Sequence, residues 1–394
     1  MNRVVVYFKI LTFFVCLTSG ITYAEQSPNR YRRALVFPGG GFQTAIFLGM
    51  LEEAENQDQA PDVVIGSCGG AIAATIANIL STNEERRAFL ESREFYELLQ
   101  STKLEYTSIF YGLWNVSKFV LDRLPFNDRV PDLFNEPLLA VPKEFAAPTL
   151  NKPFLASGIR AVIIASRMHF NPEDVGNPRG NKKLFQEVFF TDEMTANLLR
   201  GVQSEIGTNF PESSVMQDTD VVLGVMPLVA ARAGVANPYY ITPIKINGYY
   251  YMTGAIDLYP LDVAHTLADI VLMPFSSGFD FIERHGYYSA YRYEINEQLR
   301  RVTSKQATHW IDISDQSEIY ARYGLNPRPN WSMLAIQSGL PDNYNEYVDR
   351  VRQLWQYGRQ RMREALQTQE NGKAHIRNMD DGNTYPSLRD ALGR

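Results

Sequence analysis

The chain has 394 residues, 45% of them hydrophobic, two cysteines and a formal charge of −6. Such a composition supports a large packed core, and the acidic balance argues against nucleic acid as a partner and against electrostatic docking on an anionic membrane. Residues 1–24 read as a secretory leader, with Arg3 and Lys9 at its start, an apolar run from Ile10 to Leu17, and Thr22-Tyr23-Ala24 as the cleavage site. Cleavage removes both cations, taking the formal charge from −6 to −8. It also removes Cys16, so the exported chain, periplasmic or extracellular, carries Cys68 as its one cysteine and no internal disulfide.

After a polar leader comes Ala34-Leu35-Val36-Phe37-Pro38, an apolar run that ends in Gly39-Gly40-Gly41. Ala45, Ile46, Leu48, Met50 and Leu51 then recur at helical spacing. The design repeats: Val63-Val64-Ile65, the corner Gly66-Ser67-Cys68-Gly69-Gly70, and an alanine-rich helical run from Ala71 to Ile76. Two strand-glycine-helix units in succession imply crossover connections and a parallel sheet. The corner fits a strand-to-helix elbow of the G-x-S-x-G type with Cys68 in the central place, and Gly66 and Gly70 flank it where bulky neighbours would clash. Ser67 is out of register, because its own frame would need glycine where Ile65 stands.

Glu84 to Leu99 reads as helical and charged. Residues 104–126 are rich in aromatics, among them Tyr106, Phe110, Trp114 and Phe126, and suit either a core-packing helix pair or a lid with a membrane-contacting, lipid-facing surface. Pro137 to Pro153 reads as a crossing loop, Ile159 to Ser166 as a strand, and Asn171 to Lys183 as a polar excursion. Further apolar runs span Val221 to Ala231 and Tyr239 to Met252, and Ile270 to Phe275 is expected to be the last strand. From Tyr344 to Leu366 an amphipathic pattern predicts a long closing helix, its arginine-rich face read as solvated, and 371–394 reads as a flexible tail. No metal-ligand spacing or dinucleotide fingerprint is present, and no P-loop lysine follows the triple glycine, so no cofactor or metal is expected.

Three segments stand in order: Pro38-Gly39-Gly40-Gly41-Phe42-Gln43-Thr44, the elbow at Cys68, and Met252-Thr253-Gly254-Ala255. Together with Ala230-Ala231-Arg232-Ala233-Gly234-Val235-Ala236-Asn237-Pro238, they resemble the patatin-like phospholipases, which are lipid acyl hydrolases. The resemblance covers 33–275 and implies an α/β fold, a three-layer sandwich with a mostly parallel central sheet flanked by helices. The domain is then 25–370, with a helical extension over 341–370. It further implies an oxyanion hole at Gly39, Gly40 and Gly41, a nucleophile at position 68, its dyad partner at 253, and a lipid or acyl-ester ligand.

The departures from the family fall on the chemistry. Cys68 replaces the serine, Thr253 stands in the aspartate's place, and Gln43 and Thr44 replace a basic residue and a glycine. A β-branched Thr44 tolerates positive φ poorly, so the turn is expected to alter. Threonine cannot act as a base, whereas a thiol needs less help: its pKa near ~8.5 falls at a helix N-terminus. Acylation is therefore open to Cys68, but deacylation lacks the residue that would activate water. Asp257 is a candidate substitute, or a loop residue; His265 reads as structural. The leading reading is a catalytically silent or very slow patatin-like protein of lipid metabolism that keeps a lipid- or partner-binding scaffold. The alternatives are an active thiol-dependent lipid ester hydrolase or acyltransferase using Cys68, and an exported thiol redox sensor.

Overall fold

Ala34, Leu35, Val36 and Phe37 are all fully buried, and a strand buried on both faces belongs in the middle of a sheet. In the computed structural model that strand, β1 (Tyr31–Phe37), leads through helix α1 (Thr44–Asn56) to β2 (Val63–Gly66), and then through helix α2 (Gly70–Ile79). The structure describes residues 30–39, 43–104, 128–135, 137, 139–155, 158–276, 278–279, 281–323, 328–330, 335–337 and 340–368. The leader 1–24, Gly40 and Gly41, residues 105–126 of the aromatic segment and the tail 371–394 lie outside them.

β2 pairs in parallel with β1 and with β3 (Arg160–Met168), as the two crossover units require. β4 (Phe185–Phe190), β5 (Asp220–Val222), β6 (Ile244–Ile246), β7 (Tyr249–Met252), β8 (Ala268–Phe275) and β9 (His309–Asp312) complete a nine-stranded sheet. Its order is β9-β8-β1-β2-β3-β4-β5, and β7 pairs with both β3 and β6. Neighbours from β9 to β3 are parallel, as are β4 and β5, while β3–β4, β3–β7 and β6–β7 are antiparallel. Leu35, Phe37 and Val64 enter one core cluster and Ala34, Val36, Val63 and Ile65 the other, so the strand alternation separates two helical layers. The mostly parallel, helix-flanked sheet expected from the sequence is present. The sheet does not end at Phe275, however; β9, a short edge strand, extends it beyond β8.

The charged stretch 84–99 is two helices, α3 (Asn83–Leu90) and α4 (Arg93–Gln100), and each has its own N-cap. Thr82 and Glu85 form a reciprocal capping box, and Ser92 accepts from the Phe95 N–H. Helix α5 (Pro227–Gly234) and helix α6 (Leu261–Leu267) follow later, and helix α7 (Tyr344–Gln367) closes the chain as predicted.

The arginines of α7 are not simply solvated. Arg359 and Arg363 both pair with Glu53, a buried acid on α1, Arg361 pairs with Asp315, and Arg352 with Glu91. The α1–α7 crossing is close enough for backbone contact: a Cβ added at Gly49 would collide with the Trp355 carbonyl, and one at Gly358 with the Ile46 carbonyl. Gly49→Ala and Gly358→Ala are each expected to cost about 1–3 kcal/mol, read from urea midpoints. An unchanged midpoint in both would contradict this contact.

Candidate active site

The elbow is built by backbone constraints on β1 and β2. Gly66 ends β2, and a Cβ there would lie 2.6 Å from the Gly70 carbonyl oxygen and 2.7 Å from the Ala74 Cβ. The Ser67 N–H donates to the Phe37 carbonyl at 3.0 Å, which ties the corner to β1. Cys68 then takes φ +49°, a left-handed backbone rarely adopted by a residue with a side chain, and the Ala71 N–H donates to its carbonyl at 3.0 Å as α2 begins. The thiol is in no disulfide among the described residues, is 5% exposed, and stands at the N-terminus of α2. Ser67 is fully buried; its hydroxyl donates to the carbonyls of Gly254 at 2.6 Å and Asp257 at 2.9 Å, so it holds the Gly254–Asp257 turn in place.

The link between positions 68 and 253 is a third side chain. Cys68 Sγ donates to Asn237 Oδ1 at 3.4 Å, and Thr253 Oγ1 donates to the same oxygen at 2.6 Å. Asn237 lies in the turn after α5, where its N–H donates to the Val235 carbonyl at 2.8 Å and the neighbouring Ala236 carbonyl accepts from the Thr253 N–H at 3.1 Å. Thr253 Oγ1 also accepts from the Ala255 N–H at 2.9 Å. Sequence reasoning placed Asn237 in an alanine-rich helix and proline turn but gave it no role. Nothing in the local pattern signals an amide that reaches residues on two other segments.

Cys68 and Asn237 open on a cavity of about 300 Å³. Its walls are mostly apolar, with Ile72, Leu98, Leu99, Val141, Phe145 and Ile241 among them. Among the described residues, the lining contains no aspartate, glutamate, histidine, lysine or arginine. Gly69, which follows Cys68 and also lines the cavity, occupies the position whose amide an elbow presents to an oxyanion. Gly39, one of the three glycines expected at the oxyanion hole, packs against the same corner. Its N–H donates to the Leu258 carbonyl at 3.3 Å, so that amide is engaged. A Cβ there would meet the end of the Leu258 side chain and stand 3.4 Å from the Cys68 Cβ. Thr44 takes an ordinary helical position at the start of α1, without positive φ, and lines the cavity.

Asp257 is 2% exposed and belongs to a different neighbourhood. Burial, reinforced by Glu187, Glu205 and Asp262, holds its carboxyl well above the usual carboxylate range, and Asp257 is not part of the Cys68 cavity wall. His265 bonds the Gln306 carbonyl at 2.7 Å, in keeping with a structural role.

Glu187, also buried, is pushed up to about 7 by burial. A carboxyl whose folded pKa exceeds its unfolded one lends stability below the unfolded value, near 4.5, and that stability is lost as pH rises through the folded value. Native protein is therefore expected to lose more stability between pH 5 and pH 8 than Glu187→Gln does, by urea denaturation at both. Equal losses would show that Glu187 is ionised in the fold. Among the described residues, no cluster is placed to hold a metal ion, and no helix is long and apolar enough to cross a membrane.

The family model for patatin-like phospholipase matches residues 35–265. No curated protein sequence matches the chain. Among solved structures, VipD from Legionella pneumophila is similar at a TM-score of 0.31 and 10% identity, over 86% of this chain and 67% of that one. The family match runs from β1 into α6, takes in Cys68, Asn237 and Thr253, and spans more than half of the 394 residues. On that extent, the chain belongs to the patatin-like phospholipase family.

Proposed function

We propose that this protein binds an acyl ester in the Cys68 cavity and is silent or very slow as a lipid acyl hydrolase. The observation that carries the reading is the pair of hydrogen bonds on Asn237 Oδ1, in a cavity with no carboxylate or imidazole in its described lining. An amide oxygen accepts a hydrogen bond but does not take a proton at neutral pH, and a threonine hydroxyl does neither job of a base.

In the first half-reaction, Cys68 sulfur attacks the ester carbonyl. The C–S bond forms, the C–O bond breaks, and the leaving alkoxide takes up the proton that the thiol gave up. The helix N-terminus and the elbow amide assist by stabilising negative charge. In the second half-reaction, water must attack the thioester, and that step lacks an assisting group. Acylation is thus allowed, while hydrolysis stalls.

Fatty-acid release from short-chain phosphatidylcholine should be at background for the native protein and indistinguishable from that of Cys68→Ala. A second reading, an active thiol-dependent hydrolase, draws on the retained elbow with Cys68 at φ +49°. It prevails if the native protein sustains a rate that Cys68→Ala abolishes.

A further inference from the structure

Arg232, on α5, is 1% exposed and, among the described residues, has no carboxylate partner. Its Nε donates to the Pro142 carbonyl at 2.7 Å and its Nη2 to the Thr242 carbonyl at 3.2 Å, while Nη1 is buried with no partner among the described residues. A guanidinium has five N–H donors, so most of this one's capacity is unspent. Burial alone lowers its pKa, to about 10, and no neighbouring acid counteracts it. A buried cation left without a counter-charge is costly, so a bound anion would relieve the cost.

Arg232 lines a cleft of about 850 Å³. Two exposed lysines, Lys143 and Lys245, stand on the same cleft with one acid, Glu144, and Lys245 Nζ lies 5.2 Å from the Tyr250 ring centroid. Leu228, Val229 and Ile244 supply apolar wall. The cleft adjoins the Cys68 cavity: Phe145 lines both, and Val141 and Ile241 on one side continue into Lys143 and Pro243 on the other. The two carbonyls that Arg232 holds lie on these shared segments.

We infer that this cleft binds a phosphate group, with Arg232, Lys143 and Lys245 as its cationic partners. The inference deepens the acyl-ester reading by giving the polar half of the ligand a place beside the acyl cavity, and it rests on that reading only for the lipid form of the ligand. Planar guanidinium recognises phosphate by paired N–H donors, and the lysines add charge at the mouth.

The test is calorimetric titration of the full chain with inorganic phosphate and, separately, with a short-chain phosphatidate below its micellar concentration. Binding involves no turnover, so failure of acyl transfer at Cys68 and failure of phosphate binding are separate results. Lys143→Ala/Lys245→Ala is expected to weaken binding at least ~10-fold and to flatten its salt dependence. Arg232→Met should weaken it further, and the surface lysine pair keeps the test decisive if that variant fails to fold. Binding of both probes supports a general phosphate site, and binding of the phosphatidate alone supports a lipid headgroup site. Absence of binding by both probes overturns the inference, as does phosphatidate binding that ignores the two lysine substitutions.

Discussion

Cys68→Ser combined with Thr253→Asp is expected to raise turnover of p-nitrophenyl butyrate by at least ~10²-fold over the native protein, since a placed general base contributes about 10²–10⁴. The geometry carries the expectation. Sγ of Cys68 and Oγ1 of Thr253 both reach one atom, Asn237 Oδ1, so an acid at 253 and a hydroxyl at 68 would face each other across a shared centre. Asn237 can turn its amide to present Nδ2 to the new carboxylate, because both ends of the group fit the same space. Neither single change should suffice. Serine alone lacks a base, and an aspartate beside the thiol raises the cost of forming the thiolate. A double variant no faster than Cys68→Ser alone would show that position 253 is not aimed at the nucleophile.

The largest stability effect is expected at the elbow. Gly70→Val would direct its Cβ into the Phe37 carbonyl, on the central strand β1, and the neighbouring contacts are backbone rather than yielding side-chain ends. Because neither β1 nor α2 can shift without moving a fully buried layer, the loss should be at least ~3 kcal/mol, beyond the usual overpacking cost. Gly286→Ala is the control: an added Cβ there meets nothing within 4 Å, and alanine suits the helix Phe281–Tyr291 better than glycine. Urea denaturation of both variants reads the contrast, and equal midpoints would refute the packing argument.

The parts of the fold legible in the sequence are those fixed by local pattern. Glycines at Gly66 and Gly70 marked the elbow, an apolar run marked β1, a β-branched run marked β2, and a long apolar stripe marked α7. The less legible parts depend on partners far along the chain. Asn237 meets Cys68 across 169 positions, and no spacing rule announces such a contact. The arginine face of α7 resembled a solvated one because the acid it serves, Glu53, is buried on α1 at the other end of the sequence. His309–Asp312 is only four residues long, too short for alternation to separate it from a loop. Gly39 was legible as part of a glycine run, while the hydrogen bond from its N–H to the Leu258 carbonyl was not.

The central claim is that Cys68 can accept an acyl group and cannot pass it to water. Intact-mass spectrometry during reaction with p-nitrophenyl butyrate, followed alongside p-nitrophenol release, tests it most directly. The expected result is a burst approaching one equivalent, one butyryl group on Cys68, and no later release above the buffer rate. Sustained release that disappears in Cys68→Ala, with no acylated protein accumulating, would contradict the account.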